Sequence, residues 1–318
     1  MADTKISVLT AGTPGAADTF PFQRGGTATF AASGSSLGAG TILLPYVAPG
    51  TSGNVLTSDG TGWTSAAPSR ELLTADRTYY VRTDGNDSNT GLVNSAGGAF
   101  LTIVYALSVA ASLDTSLYNV TIQVGDGTYV ENTISIPNLL GSGTLTITGN
   151  TGTPSNVVID GGFSKDKAGT TVIISYMKLI KSSGTATNAI SSQFNAVIYW
   201  DGIIFGSGFT YHISVVYMGT VLGSGNYTIE GGAVAHWRAQ YSGLITVPNR
   251  TITLSGTPAF SNSFARIEGL SFLLATGNTY SGSATGSRYV VSQNSVINSG
   301  VTLPGDSAGT TATGGQYV

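Results

Sequence analysis

The sequence predicts an all-β chain, wound as a parallel β-helix, with one capping helix near its start and an extended arm before that. Three observations carry the prediction. From Asn119 onward, apolar and polar residues alternate over short runs: Val120, Ile122 and Val124; Leu145 and Ile147; Ile252 and Leu254. That is the period-two pattern of half-buried strands. Turn formers such as Gly125-Asp126-Gly127, Gly141-Ser142-Gly143 and Gly149-Asn150 separate the runs, with no helical pattern between them. Third, AVIYWDGIIF, ISVVYMGTVL, AQYSGLITV and FARIEGLSFLL align on Gly202, Gly219, Gly243 and Gly269, spaced by 17, 24 and 26 residues. An earlier copy, VIISYMKLI, places Met177 or Lys178 near the same point. A unit of two short strands about a bend cannot bury its inner face alone, so successive units stack and share one core. An antiparallel sandwich is the competing architecture.

The segment Tyr79–Ala111 organises the rest. Within it, Phe100, Ile103, Val104, Leu107, Ala110 and Ala111 recur at i, i+3, i+4, i+7, i+10 and i+11, one apolar stripe on a helix. Gly97 and Gly98 interrupt whatever precedes it. A lone amphipathic helix needs a partner, and the β region is the one available. The expectation is a cap over the first exposed strand edge, with Val104 and Leu107 buried against the first coil.

The run Tyr79-Tyr80-Val81-Arg82-Thr83-Asp84-Gly85-Asn86-Asp87, followed by Gly97-Gly98-Ala99-Phe100 and a short Ala-rich helix, resembles the leading segment of β-helical fibre and spike proteins of tailed bacteriophages. GNVLTSDGTGWTSAAP (Gly53–Pro68) is similar to a segment of phage tail-fibre arms. GVTLPGDSAGTTATGGQYV (Gly300–Val318) resembles a chain ending in such proteins, and MADTKIS resembles the start of many virion proteins. The resemblance covers about a third of the chain. It implies a right-handed, pectate-lyase-like parallel β-helix in a tail fibre, tailspike or collar protein, forming a homotrimer on the virion. It further implies that residues 1–70 attach to other virion proteins of the tail, collar or capsid. Residues 71–116 are then a junction with the capping helix, 117–300 the body and 301–318 a tail. The body would present a surface for host adhesion, host polysaccharide being a candidate ligand. A glycan depolymerase and a decoration protein that binds no host are the alternatives.

Composition narrows the function classes. Charged residues make up 9% of the 318, against ~25% in ordinary soluble domains. Self-assembly is one way for such a chain to hide apolar surface. The 13 Lys and Arg are scattered and the net charge is −3, which argues against nucleic acid as the main partner. Cysteine is absent, so disulfides, thiol nucleophiles and cysteine metal sites are excluded. No apolar run approaches 18 residues, so no membrane-inserted helix is expected. Residues 1–70 are rich in Gly, Ser, Thr and Ala, with Thr41-Ile-Leu-Leu and Asn54-Val-Leu-Thr the best candidates for extended pieces. Such a segment buries little of its own surface. It is either a disordered tail or an arm ordered by docking, and the resemblance favours the arm.

Candidate chemistry is sparse. The carboxylates after the helix are Asp114, Asp126, Glu131, Asp160, Asp166, Asp201, Glu230, Glu268 and Asp306. Asp201 and Glu268 share a pre-glycine position three coils apart. At ~4.8 Å per coil that is ~14 Å, beyond the ~5–9.5 Å used by glycosidase pairs. Asp160 and Glu230 each precede Gly-Gly and read as turn residues. Asp84, Asp87 and Asn89 supply oxygens that calcium favours, but without a later bidentate Glu the segment reads as a turn. No catalytic residue, metal site or cofactor is therefore expected. His236, Trp237, Arg238 and Tyr241, with Trp200 at a comparable bend, form the densest aromatic and polar group. It is either a receptor- or glycan-binding platform or a core Trp beside a surface Arg.

Overall fold

The structure is a computed structural model that describes residues 54–58, 63–66, 70–184 and 187–318. The chain divides into two compact units, Met1–Pro68 and Ser69–Val318. In the first, Val55–Ser58 pairs antiparallel with Trp63–Ala66, so the Asn54-Val-Leu-Thr piece is a hairpin strand. Thr41-Ile-Leu-Leu and most of the expected arm over residues 1–70 lie outside the described residues.

The second unit is a parallel β-helix with three faces. Face 1 contains ten strands: Arg77–Val81, Val120–Val124, Leu145–Thr148, Val172–Ser175, Val197–Asp201, Thr220–Gly223, Leu244–Thr246, Phe272–Leu274, Val296–Asn298 and Gln316–Tyr317. Each pairs in parallel with the next. Faces 2 and 3 begin as one, because Val157–Lys165 runs round their common corner. Its Ile159 pairs with Leu179 on face 2 and its Phe163 with Ile190 on face 3. Later coils break there. Ile204–Phe205, Tyr227–Ile229 and Thr251–Leu254 continue face 2; Tyr211–Val216, Ala233–Gln240 and Ala259–Ile267 continue face 3. The uniformly parallel pairing of this unit disposes of the sandwich.

The alternation seen in sequence becomes columns in space. Val120, Leu145, Val172, Ile198, Val221, Ile245, Leu273 and Ile297 stand one above another on face 1. All eight are fully buried, and burial of such a side chain stabilises by ~1.5–3 kcal/mol. A second column, Ile122, Ile147, Ile174 and Trp200, ends where Gly223 follows. A side chain at Gly223 would meet the Trp200 indole at 2.8 Å. The large ring is accommodated because its neighbour has none. Gly161 serves a related purpose at the corner between faces 2 and 3. A Cβ there would stand 2.4 Å from the Glu131 carbonyl, so only glycine lets the backbones stack this closely.

The registers correct three expectations. Gly202 turns face 1 into face 2, whereas Gly219 and Gly243 turn face 3 into face 1. Gly269 falls two positions before the column of Gly243, since Leu244 pairs with Phe272. The glycine alignment therefore merged two corners. Residues 301–318 are no free tail: Thr310–Thr311 pairs with Val290 and Val291, and Gln316–Tyr317 extends face 1. Likewise Arg77–Val81, inside the expected junction, is the first strand of face 1.

The helix spans Ile103–Ala111. Thr102 caps it, its hydroxyl accepting from the Tyr105 amide at 3.2 Å. Asp87 accepts from the Leu101 and Thr102 amides and the Thr102 hydroxyl, and Glu131 accepts from the Ile103 amide at 2.7 Å. Two carboxylates thus sit where the helix dipole favours negative charge. Burial pushes the Glu131 carboxyl up, opposed by the Ile103 and Val104 amides. Ile103, Ala106, Leu107 and Ala110 face the core, against Arg77–Val81, Val120–Val124 and Gly127–Ser135. Leu107 is buried as expected; Val104 is 50% exposed. The buried face starts at Ile103, one residue after the cap, which leaves Val104 on its outer margin.

Candidate binding surface

The residues singled out by sequence divide between inside and outside. Trp200, His236 and Trp237 are fully buried and cannot contact a ligand at the surface. At the start of face 3 two successive side chains turn inward, so His212 and Ile213, then His236 and Trp237, are all enclosed. The His212 and His236 Nδ1 atoms are 3.0 Å apart, and the Tyr227 hydroxyl lies 2.8 Å from His236 Nε2. If Tyr227 donates to Nε2, the one proton of His236 sits on Nδ1 and is donated to His212. Rings enclose the pair, with Phe205 stacked on His212 at 5.4 Å and Phe264 beside His236 at 5.1 Å. Burial lowers the His212 imidazole to about 3 and holds His236 well below its ordinary range, the neighbouring His212 adding to the effect. Both are neutral, structural groups.

Tyr241 and Arg238 remain at the surface. Arg238 points out from face 3, its guanidinium 4.8 Å above the Tyr211 ring, and donates to Ser214 Oγ at 2.9 Å and to Gln240. Gln240 donates to Glu268 at 2.5 Å, and Glu268 pairs with Arg266 at 2.9 Å. This polar strip leads along the strand to the corner that holds Tyr241.

That corner is built from two-residue turns in which both residues have positive φ: Phe194-Asn195, Tyr217-Met218, Tyr241-Ser242, Gly269-Leu270, Gln293-Asn294 and Thr313-Gly314. A backbone ladder ties each to the next. Met218 N donates to the Tyr241 carbonyl, Ser242 N to Gly269, Leu270 N to Gln293 and Asn294 N to Thr313, at 2.8–3.0 Å. Because the turns are in register, so are their side chains. Phe194 stacks on Tyr217 at 5.1 Å with 4° between planes, and Tyr217 on Tyr241 at 5.0 Å with 5°. The three rings form a ladder open to solvent at 43–54% exposure. Met218 and the two-thirds exposed Leu270 flank it. Together they line a groove of about 710 Å³ that continues over Gln293 and Asn294.

Phe194, Tyr217, Met218 and Leu270 escaped the sequence reading. The signal was available as Tyr217-Met-Gly219 and Tyr241-Ser-Gly243, an aromatic two residues before the same glycine. It was obscured because Trp200-Asp-Gly202 shows the same pattern at a different corner, where the aromatic points inward.

The carboxylates are engaged locally. Glu230 pairs with Lys178 at 2.7 Å and Asp160 with Lys181 at 3.5 Å, while Asp201 accepts from the Tyr176 hydroxyl at 3.1 Å. A polar groove of about 630 Å³ near the first coils holds Arg82, Asp84 and Asp126. Asp84 pairs with Arg82 at 2.8 Å, and Asp126 accepts from Asn150 and Asn156 at 2.8 and 3.0 Å. These contacts hold both carboxyls below their ordinary range. Asn89 donates to the Ala96 and Ala99 carbonyls. The Asp84–Asn89 segment is thus turn and capping chemistry, and among the described residues no group of three His, Cys, Asp or Glu is placed to hold a metal. Among the described residues no helix is long and apolar enough to cross a membrane.

Fold and surface define a parallel β-solenoid with a stacked aromatic ladder along one corner. No family model, no curated protein and no solved structure matches the chain.

Proposed function

We propose that the protein is a structural adhesion component of a tailed-phage virion, a fibre, spike or collar protein attached through residues 1–70. In this reading it is a homotrimer whose β-helical body, wound right-handed, meets the host surface through the corner ladder. The sequence resemblance supports the virion setting. The observation that carries the adhesion reading is the placement of Phe194, Tyr217 and Tyr241 at positive φ on an exposed corner. A left-handed conformation costs a non-glycine residue ~1–2 kcal/mol, and Asn or Gly would occupy it at lower cost, as Gly269 does at the same position of the next turn. Large rings held there at such a cost serve contact better than folding, and aromatic residues are over-represented among binding anchors. The solenoid fixes their spacing before any ligand arrives, which reduces the ordering cost of binding.

Adsorption to a panel of bacterial cells and their isolated surface polysaccharides tests this. The double variant Tyr217→Ala, Tyr241→Ala should bind at least ~10-fold more weakly, at ~1–3 kcal/mol per anchor, while staying folded with only the modest loss of stability that two lost stacks imply. Unchanged adsorption would remove the ladder from any contact role. Release of reducing sugar from a polysaccharide that the protein binds would show a depolymerase instead. Asp201, Glu230 and Glu268 would then be the carboxylates to replace first.

A further inference from the structure

The aromatic ladder stops at Tyr241, although the turns that carry it continue through Gly269, Gln293 and Thr313. The position after Tyr241 in the column is Gly269, and the Ser242 amide donates to its carbonyl at 2.8 Å, so the turn itself is in register. Tyr217 covers one face of the Tyr241 ring. On the other side of Tyr241 the next turn offers Gly269, which supplies no ring to stack. Gln293 occupies the rung beyond, its Oε1 3.5 Å from the place a Cβ on Gly269 would take. The result is a notch about one coil high, ~4.8 Å. It is bounded by the Tyr241 ring, the Gly269 backbone, exposed Leu270 and the amides of Gln293 and Asn294.

Resting on the reading of this corner as a contact surface, we propose that the notch at Gly269 is a binding site for one ring of a neutral saccharide. A pyranose presents one face of C–H groups and a rim of hydroxyls. The open face of Tyr241 suits the first, and the Gln293 and Asn294 amides, which both donate and accept, suit the second. The charge of the site selects among flat ligands. None of the residues lining the groove is charged, so nothing offsets the phosphates of a nucleotide or the carboxylates of an acidic glycan. The site is also pre-formed, since backbone hydrogen bonds hold the turns on both sides of it.

Gly269→Tyr tests the notch by filling it. The neighbouring tyrosines hold φ of 51° and 54° against 65° at Gly269, so a tyrosine has precedent at this corner; its Cβ would stand 3.0 Å from the Tyr241 backbone nitrogen, so the ladder gains its next ring at the cost of local strain. The probes are a linear glucose hexamer, an N-acetylglucosamine hexamer and a galacturonate hexamer, followed by saturation-transfer NMR and titration on the full chain. Expected is binding of a neutral hexamer over the acidic one, weakened about tenfold or more by Gly269→Tyr and by Tyr241→Ala. Gly269→Tyr should fold with a melting temperature a few degrees below the parent, and Gln293→Ala provides a second variant that leaves the backbone untouched. No binding of either neutral hexamer, or binding that Gly269→Tyr and Gln293→Ala leave intact, would overturn the notch. If cell adsorption still falls with the double tyrosine variant, the adhesive ladder survives that failure. If instead Gly269→Tyr changes the sedimenting species and no sugar binds, the corner is an interface between copies of the chain and the saccharide assignment is wrong.

Discussion

Two aromatic clusters lie in neighbouring stretches of the same coils and are packed by opposite rules. Inside, Trp200, Tyr227, Phe205, Trp237 and Phe264 meet mostly edge to face, at 77° for Trp200 on Tyr227 and 74° for Trp237 on Phe264. Ring quadrupoles favour that arrangement when side chains can choose their rotamers in a dense interior. Outside, Phe194, Tyr217 and Tyr241 lie within 5° of parallel. There the backbone repeat dictates the geometry, because each ring leaves an identical turn one coil above the last. The inner cluster is a solution to packing, whereas the outer one copies the repeat. Composition alone cannot separate them, since both draw on the same residue types.

Truncating the inner cluster should have the largest effect. Trp237→Ala empties a fully enclosed site and should cost ~3–5 kcal/mol of stability, read by thermal or denaturant melting. Any fall in binding should only follow the loss of folded protein. A binding defect at unchanged melting temperature would return Trp237 to the surface and dissolve the contrast.

The helix carries the same inside–outside distinction at a smaller scale. Leu107→Asp places an unpaired charge in the buried contact and should cost ~3 kcal/mol or more. Val104→Asp, on the exposed margin, should stay within ~0.5 kcal/mol. Equal effects would mean that the helix does not close the core with the face described.

Acid should find the inner cluster before the outer one. The unfolded histidines titrate near ~6.5, whereas burial lowers folded His212 to about 3 and His236 well below its ordinary range. The unfolded chain therefore takes up protons first as the pH falls. The contribution to stability is whole above ~6.5 and is lost progressively toward pH 3. For His212 alone, the step from pH 7 to pH 5 should remove ~2 kcal/mol. Denaturant midpoints across that range should show the slope, and the double variant His212→Phe, His236→Phe should flatten it. A flat profile in the parent would place the pair in contact with water.

The smallest expected effect is the most discriminating for the outer cluster. Tyr217→Asn loses stacking worth ~0.5–1.5 kcal/mol per pair but relieves positive-φ strain of similar size. Stability should therefore shift by less than ~1 kcal/mol while adsorption falls. A large loss of stability would make the ladder a structural brace.

The sequence by itself determined the class of fold, and the reason is local. Alternation at Val120–Val124 or Leu145–Ile147 specifies which side of a strand is buried, whatever the strand pairs with. Turn chemistry at Glu230-Gly-Gly is equally local and was legible there, whereas Asp160-Gly-Gly, read the same way, lies within the strand Val157–Lys165. The helix was legible too, but its buried face was misjudged at Val104, because the cap at Thr102 sets where the turn count begins. What only the tertiary structure decided is which residues share a corner. Coil lengths vary: Ile198 pairs with Val221 and Leu244 with Phe272, so no fixed period carries one corner onto the next. Gly202 and Gly219 look alike in sequence yet turn different corners. That displacement put Trp200 beside Tyr241 in an alignment, although one is sealed in the core and the other open to solvent. The aromatic ladder and its missing rung at Gly269 exist only once the coils are in register, because stacking relates residues some two dozen positions apart that local propensity does not connect.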